Sequence, residues 1–371
     1  MRASIDPASF PAALRPLAEK VRTGTRLDAA DALACFETPH VLHLGRLAGA
    51  VRRELHGDVA YYNINRHINP TNVCVYTYNC KFCSFAALED EPHAWQMSLE
   101  EVWKNAADAG GNQVTEFHIV GGLHPDLDMS WYEEMLRGLK ERFPDAHLKA
   151  FTAIEIGWFA RREKLSIRTV LERLVAAGLG SLPGGGAEIF HPEVREIICD
   201  GKLDADEWIE VHRVAHGMGL KSNCTMLYGH VEKPAHKVDH LLRLRNLQDE
   251  TGGFNAFIPL AYHPENNYLG LKYHTTGLDD LRHLATSRLV LDNIPHVKAY
   301  WVMITPKLAQ VALSFGADDL DGTVVRETIY HMAGAETVQA MPISELERVI
   351  REAGFTPVER DTLYNPITRA A

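Results

Sequence analysis

The sequence predicts an α/β protein: a (β/α) barrel with an N-terminal helical preface and a C-terminal extension. Three observations carry this reading. Strand-like and helix-like stretches alternate through the middle of the chain at intervals of about 30–40 residues, the signature of a parallel α/β fold. There are about seven strands and a weak one near residues 318–323, which suits a barrel better than a doubly wound sheet of about five or six. The unusual loops all follow strands: Gly121-Gly122-Leu-His-Pro, Gly184-Gly-Gly-Ala-Glu188, Tyr228-Gly-His and His263-Pro-Glu-Asn. In a barrel these loops share one face, where active sites are built.

Bulk properties narrow the function classes. A chain of 371 residues suffices for one large domain with additions, or for two domains. Its 46% hydrophobic content supplies a core. A net charge of −11 and a pI of about 5.9 argue against general nucleic-acid binding, which needs a basic footprint. No uncharged apolar run reaches about 18 residues, so no membrane span is expected. The start, Met-Arg-Ala-Ser-Ile-Asp, lacks the apolar run of a signal peptide. Six cysteines in a chain this long are not a disulfide scaffold. Three of them are clustered, which suits a reducing compartment, so a cytoplasmic location is expected. Cys35, Cys199 and Cys224 read as ordinary buried or half-buried thiols.

In chain order, apolar spacing predicts helices at 10–21, 27–36 and 41–55, with Pro39 between the last two. Region 1–55 is therefore a helical preface that plugs or brackets the main domain, with His40 and His43 as packing or surface residues. The barrel is placed at 56–325. Its first strand is read at 59–65. Ser98 with Glu101 forms a capping box that opens a helix running to about residue 109. Further strands are read at 116–120, 148–153, 180–183, 222–227, 255–261 and 298–303. Helices fall at 131–143, 167–177, 204–218, 234–250, 278–291 and 307–315. Arg282 and Arg288 share one helix and read as surface residues. Asp318 and Asp319 are expected to close the barrel mouth or cap the next element. Region 326–371 is a helical extension with a polar-rich helix at 344–353 and a loose end, able to cover the mouth.

The chemistry centres on Cys74, Cys80 and Cys83, directly after Asn69-Pro-Thr-Asn-Val. Three thiolates can hold three irons of a [4Fe–4S] cluster and leave the fourth open to a small chelating ligand, whereas four-cysteine clusters mainly move electrons. Structural zinc wants four Cys/His ligands, usually as two close pairs, and neither His67 nor His93 has a matching partner. Phe82 is placed to shield one cluster face. An open iron calls for an amine and a carboxylate, which a methionine moiety provides. Gly121 and Gly122 would bring bare backbone to such a group. Glu155 would bond a ribose hydroxyl, its alternative being a surface acid at a helix start. The run at 184–188 lacks the lysine and hydroxyl of a phosphate-cradling loop. It is expected to frame a bulky substrate, with Glu188 as an acceptor. Three His-Pro pairs hold His124, His191 and His263 extended in loops. At least one of these histidines is expected to touch substrate. Thr225 lies on the fifth strand and Tyr228 just past it.

These residues resemble the radical S-adenosylmethionine enzymes, a (β/α) TIM-type barrel family, and among them the aminodeoxyfutalosine synthase group of the futalosine route to menaquinone. The matching text includes Asn-Arg-His-Ile-Asn-Pro-Thr-Asn-Val-Cys at 65–74, Phe-His-Ile-Val-Gly-Gly-Leu-His-Pro at 117–125, and Ser-Leu-Pro-Gly-Gly-Gly-Ala-Glu at 181–188. It continues with Phe-Ile-Pro-Leu-Ala-Tyr-His-Pro-Glu-Asn at 257–266 and Lys-Ala-Tyr-Trp-Val-Met at 298–303. The similarity covers residues 55–362. One departure stands out: the family usually has three residues between its first two cysteines, and here there are five. A two-residue bulge before Cys80 would keep the sulfurs convergent.

The resemblance implies a [4Fe–4S] cluster on Cys74, Cys80 and Cys83, with S-adenosylmethionine at Phe82, Gly121, Gly122, Glu155 and Thr225. It implies a 5′-deoxyadenosyl radical that adds to the vinyl carbon of 3-[(1-carboxyvinyl)oxy]benzoate. The products would be 6-amino-6-deoxyfutalosine, methionine and CO2 or bicarbonate. His124, His191, His263, Glu188 and Tyr228 are the expected substrate residues. A flavodoxin or ferredoxin-like reductant is implied, while the oligomeric state is open, a homodimer being one option. The alternatives within the family are a dehypoxanthine futalosine cyclase and a deazaflavin-cofactor synthase. The alternatives outside it are an iron–sulfur electron carrier and a zinc-binding structural protein.

Overall fold

The computed structural model describes residues 5–108 and 113–369. The expected helix end at 109 and the last two residues of the tail lie outside these. Helices α1 (Arg15–Thr23), α2 (Ala29–Glu37) and α3 (Val41–His56) form the preface. Asp28 opens α2 with a reciprocal capping box to Asp31, which fixes its start. The preface brackets the outer ring: α2 packs on α10 (Pro234–Thr251) and α3 on α11 (Gly277–Val290).

Seven parallel strands form the main sheet in the order β2 (Asn65–Ile68), β3 (Glu116–Ile119), β4 (His147–Ala150), β5 (Ser181–Leu182), β6 (Lys221–Tyr228), β7 (Phe254–Ala261) and β8 (His296–Val297). Helices follow on its outer face: α4 (Leu99–Ala107), α5 (Met129–Arg142), α6 (Ala153–Glu163), α7 (Ile167–Ala177), α9 (Ala205–Gly217), then α10 and α11, while α8 (Pro192–Cys199) ends against the loop after β2. The Ser98–Glu101 capping box that predicts α4 is present. A second sheet sets β1 (Val59–Asn63) between β9 (Asp319–Gly322) and β10 (Thr356–Glu359), all parallel.

One segment joins the two edges of the main sheet. Asp318 N–H donates to Val297 O (3.0 Å) and Ala299 N–H to Asp319 O (2.8 Å), on the β8 side. On the β2 side, His67 N–H donates to Val325 O (3.1 Å) and Val325 N–H to Asn65 O (3.4 Å). The sheet must curl for both edges to reach residues 318–325. All strand C-termini then open on one end, where loops converge.

Several elements differ from expectation for identifiable reasons. The strand read at 59–65 is broken at Ile64, so β1 belongs to the small sheet and β2 starts the barrel. The strand read to residue 153 stops at Ala150, because Thr152 caps a helix, α6, through a box with Glu155. Helix α8 is also unanticipated; Pro192 sits in its first turn, where a missing N–H costs nothing. The strand read at 298–303 is replaced by β8, which ends at Val297, and by the turn α12 (Trp301–Ile304) and α13 (Pro306–Ala312) after it. The extension is not purely helical: after α14 (Ile329–Met332) and α15 (Ile343–Glu352) it ends in β10, paired with β1. Since β1 runs into the N-terminal end of β2, β10 lies away from the mouth.

Arg288 is fully buried rather than exposed, as is Asp318, which it meets at 2.6 Å. Asp318 also takes His296 Nδ1 at 2.6 Å and the Val297 N–H at 2.9 Å. Asp319 pairs with Arg360 at 2.5 Å. Neither aspartate closes the mouth; both anchor the closing segment. Burial alone would raise the Asp318 carboxyl, but the charges of His296 and Arg288 hold it well below the usual range. Replacing Arg288 by Ala strips the buried Asp318 carboxylate of its arginine, leaving it to His296 and the Val297 N–H, and is expected to cost about 3 kcal/mol, read as a fall in the urea midpoint. In the parent protein this stabilisation is complete above about pH 4 and is lost as pH falls toward the depressed folded value.

Candidate active site

A cavity of about 330 Å³ opens at the C-terminal ends of the strands. Cys74, Cys80 and Cys83 share its lining, on the loop after β2. Cys74 N–H donates to Ala87 O (3.0 Å), fixing the loop entrance. The long gap to Cys80 is absorbed by successive turns: Thr77 N–H donates to Cys74 O (3.2 Å) and Cys80 N–H to Tyr76 O (2.9 Å). The apex points outward. Tyr78 there is exposed, bonds Glu91 (2.9 Å) and meets the Tyr268 ring edge-on. Two extra residues thus lengthen the bulge while all three cysteines still reach one cavity.

The three thiols are free. Burial pushes Cys80 and Cys83 up, against the pull of the Lys202 charge on both and of the Phe85 and Ala86 N–H groups on Cys83. Such desolvated sulfurs ionise readily only against a bound cation, and soft thiolates select iron–sulfur clusters or similar soft metals. The donor set fits a cluster with three cysteine ligands.

The other expected cofactor residues also line the cavity, but several are structural braces. Gly122 is tied to Thr71 O through its N–H (2.8 Å), and a Cβ there would lie 2.2 Å from Val73 O. Glycine is required because the cysteine loop's own backbone passes alongside. Glu155 is buried rather than a surface acid. It accepts from Thr152 N–H (2.7 Å), Thr152 Oγ1 (2.8 Å) and Gly121 N–H (3.2 Å), tying α6 to the Gly121-Gly122 turn. Burial pushes its carboxyl up to about 7, with those bonds opposing. Thr225 Oγ1 donates to Gly184 O (2.8 Å). Phe82 carries Lys202 Nζ 5.5 Å above its ring.

Of the five expected substrate residues, Glu188 and His263 reach the cavity and three do not. Glu188 adopts φ 49° and meets Lys202 Nζ at 2.6 Å, both side chains being buried. His263 donates from Nε2 to Met303 O (3.1 Å), leaving a buried Nδ1 with no protein partner. His124 instead turns back on its own loop, its Nδ1 accepting from Asp126 N–H (3.0 Å). His191 caps α8 and stacks on His236 at 4.1 Å. Tyr228 is fully buried, donates to Asp280 (2.8 Å) and stacks on His283 at 3.8 Å.

Sequence reasoning missed the cavity's inner wall. His67 and His118 are register partners on β2 and β3, with rings stacked at 4.6 Å. Tyr300 lies parallel to His67 at 6.4 Å. His67 Nε2 is buried without a partner, and burial lowers both histidines, keeping the rings neutral near pH 7. The available signal was a histidine on each of two short strands otherwise destined for burial. Glu327 and Tyr330, from the C-terminal extension, complete the lining. Lys202 was hidden because α8, which delivers it, was read as loop.

Residues 68–244 match the radical SAM superfamily, and residues 251–370 match the CofH/MqnC C-terminal region. The aminodeoxyfutalosine synthase of Thermus thermophilus is 46% identical, covering 95% of this chain and 96% of that protein. The Streptomyces coelicolor protein of the same name is 47% identical, with 94% and 93% covered. The 5-amino-6-(D-ribitylamino)uracil–L-tyrosine 4-hydroxyphenyl transferase of Methanopyrus kandleri is 41% identical, with 87% and 88% covered. Among solved structures, methylornithine synthase superposes with a TM-score of 0.73 at 16% identity, covering 91% of this chain and 96% of that one. The hydrogenase maturase HydG of Carboxydothermus hydrogenoformans gives 0.73 at 18%, with 95% and 80% covered. These two share the fold. Among the described residues no helix is long and apolar enough to cross a membrane. With three thiols on one cavity at the strand ends and near-full-length kinship to named enzymes, the chain belongs to the radical SAM superfamily, in the branch carrying the CofH/MqnC C-terminal region, and is a radical SAM transferase.

Proposed function

We propose that the chain is an aminodeoxyfutalosine synthase, joining the adenosyl carbon of S-adenosylmethionine to 3-[(1-carboxyvinyl)oxy]benzoate. The products are 6-amino-6-deoxyfutalosine, methionine and CO2 or bicarbonate. The observation that carries this is the 46–47% identity, over 94–95% of the chain, to two enzymes of that name. The transferase that uses tyrosine, at 41%, is the second reading.

Cys74, Cys80 and Cys83 would hold a [4Fe–4S] cluster, which together with S-adenosylmethionine would supply one-electron radical chemistry at the adenosyl carbon. A flavodoxin or ferredoxin-like protein supplies the electron. The chain's residues orient the partners and exclude water, because proximity of the vinyl carbon to C5′ favours addition over stray hydrogen abstraction. His67 donates from its unpartnered Nε2 to a substrate carboxylate, its own ring oriented by the stacked His118 and the parallel Tyr300. His263, with Nε2 committed to Met303 O, offers Nδ1 as an acceptor for a hydroxyl rather than as a carboxylate donor. Lys202, paired with Glu188, is the cation beside the cysteines.

The test is anaerobic turnover of the reconstituted protein with reductant, S-adenosylmethionine and the enolpyruvyl benzoate, read by mass spectrometry. The expected result is 6-amino-6-deoxyfutalosine with methionine; product only from tyrosine and 5-amino-6-(D-ribitylamino)uracil would overturn the assignment for the second reading. Cys80→Ala is expected to abolish both product and bound iron. His67→Phe removes one hydrogen bond to a charged group, worth about 1.5–3 kcal/mol, so kcat/KM for the benzoate should fall about 10–150-fold. Cleavage of S-adenosylmethionine to 5′-deoxyadenosine should persist in that variant.

A further inference from the structure

Cys199 is not one of the ordinary isolated thiols that its sequence context implies. It ends α8, and its backbone pairs with that of Cys80 as an antiparallel bridge. Lys81 N–H donates to Ile198 O (2.8 Å), and Asn79 Nδ2 to Asp200 O (3.1 Å), so bonds on either side clamp the two residues opposite one another. Residues paired this way have Cα atoms about 4.5–5.5 Å apart. Disulfides need about 4.4–6.8 Å. Both thiols are buried and free, and each lies within reach of the Lys202 charge. Cys80 lines the cavity and Cys199 sits behind it.

We propose that Cys80 and Cys199 form a reversible disulfide when no cluster is bound. The oxidant is a small organic disulfide, RSSR, which enters through the cavity. The Cys80 thiolate attacks one sulfur and RS⁻ leaves, giving a mixed disulfide. The Cys199 thiolate then attacks the Cys80 sulfur and the second RS⁻ leaves. Two thiols are oxidised, RSSR is reduced to two RSH, and the two cysteine protons pass to the leaving thiolates. Little backbone movement is needed, because the bridge already holds the pair. The bond removes one sulfur from the set Cys74, Cys80 and Cys83 and stores it against irreversible oxidation. The modification itself is independent of the substrate assignment; only its effect on cluster loading rests on the three-cysteine reading.

The experiment uses the full chain, freed of iron by chelation and incubated anaerobically with 2-hydroxyethyl disulfide. Free thiols are then alkylated and the protein is digested with trypsin without reduction. Trypsin places Cys80 with Cys74 in peptide 67–81, Cys83 in 82–104 and Cys199 in 196–202. The expected result is loss of two of the six thiols and a linked pair of peptides 67–81 and 196–202, with fragmentation assigning the bond to Cys80. The treated protein should take up iron only after dithiothreitol, while Cys199→Ser treated identically should yield no linked peptides and should instead keep the 2-hydroxyethyl thiol on Cys80 as an unresolved mixed disulfide. A link from 67–81 to 82–104, a bond within 67–81, or full alkylation of Cys199 in the parent protein would overturn the proposal.

Discussion

The structure depends on one constraint: residues 318–325 bond both edges of the parallel sheet at once. A strand so placed must lie in the interior, and this one carries acids at 318, 319 and 321. Each acid has a fixed cation: Arg288, Arg360 and Lys298 respectively. Lys298 meets Asp321 at 3.0 Å, and Lys149 meets Glu116 at 2.5 Å on the facing strands. Buried pairs of this kind add little net stability over apolar packing, but breaking one leaves a charge stranded. They make the closed arrangement intolerant of alternatives, which keeps the strand ends, and hence the loops, on one rim.

The same economy of position shapes the site. Several residues at the cavity act on the protein rather than facing a ligand with their polar groups. Glu155 ties α6 to the Gly121-Gly122 turn, Gly122 lets the cysteine loop pass, and Thr225 ties β6 to the 184–186 run. The uncommitted valences are few: His67 Nε2 and His263 Nδ1 are buried at the cavity without protein partners. Buried polar atoms left open in this way cost free energy unless a ligand answers them. They therefore mark where substrate or cofactor polar groups belong more sharply than the braces do.

The strand–helix rhythm was legible because β3, β6 and β7 carry largely apolar stretches of strand length and because Ser166 and Asp204 cap α7 and α9 at the start of their apolar patterns. Cys74, Cys80 and Cys83 were legible because spacing and chemistry coincide in one loop. What escaped was decided by tertiary context. Thr152–Glu155 and Pro192 start helices inside stretches that look extended, so α6, α8 and Lys202 were missed. The shared His-Pro restraint on His124, His191 and His263 says nothing about which way each loop faces, and only His263 faces the cavity. Arg288 looks like a surface arginine until the closing segment brings Asp318 to it. Cys199 looks like an isolated thiol until α8 carries it to Cys80.

The central claim is that three cysteines hold a cluster whose remaining iron is open to S-adenosylmethionine. Electron paramagnetic resonance of the reduced, reconstituted protein tests it most directly, recorded before and after adding S-adenosylmethionine. The account predicts a [4Fe–4S]⁺ signal whose g values and line shape change on addition, in the parent and in Cys199→Ser alike. A signal indifferent to S-adenosylmethionine, or one lost when Cys199 is replaced, would contradict it by showing a fourth protein ligand on the cluster.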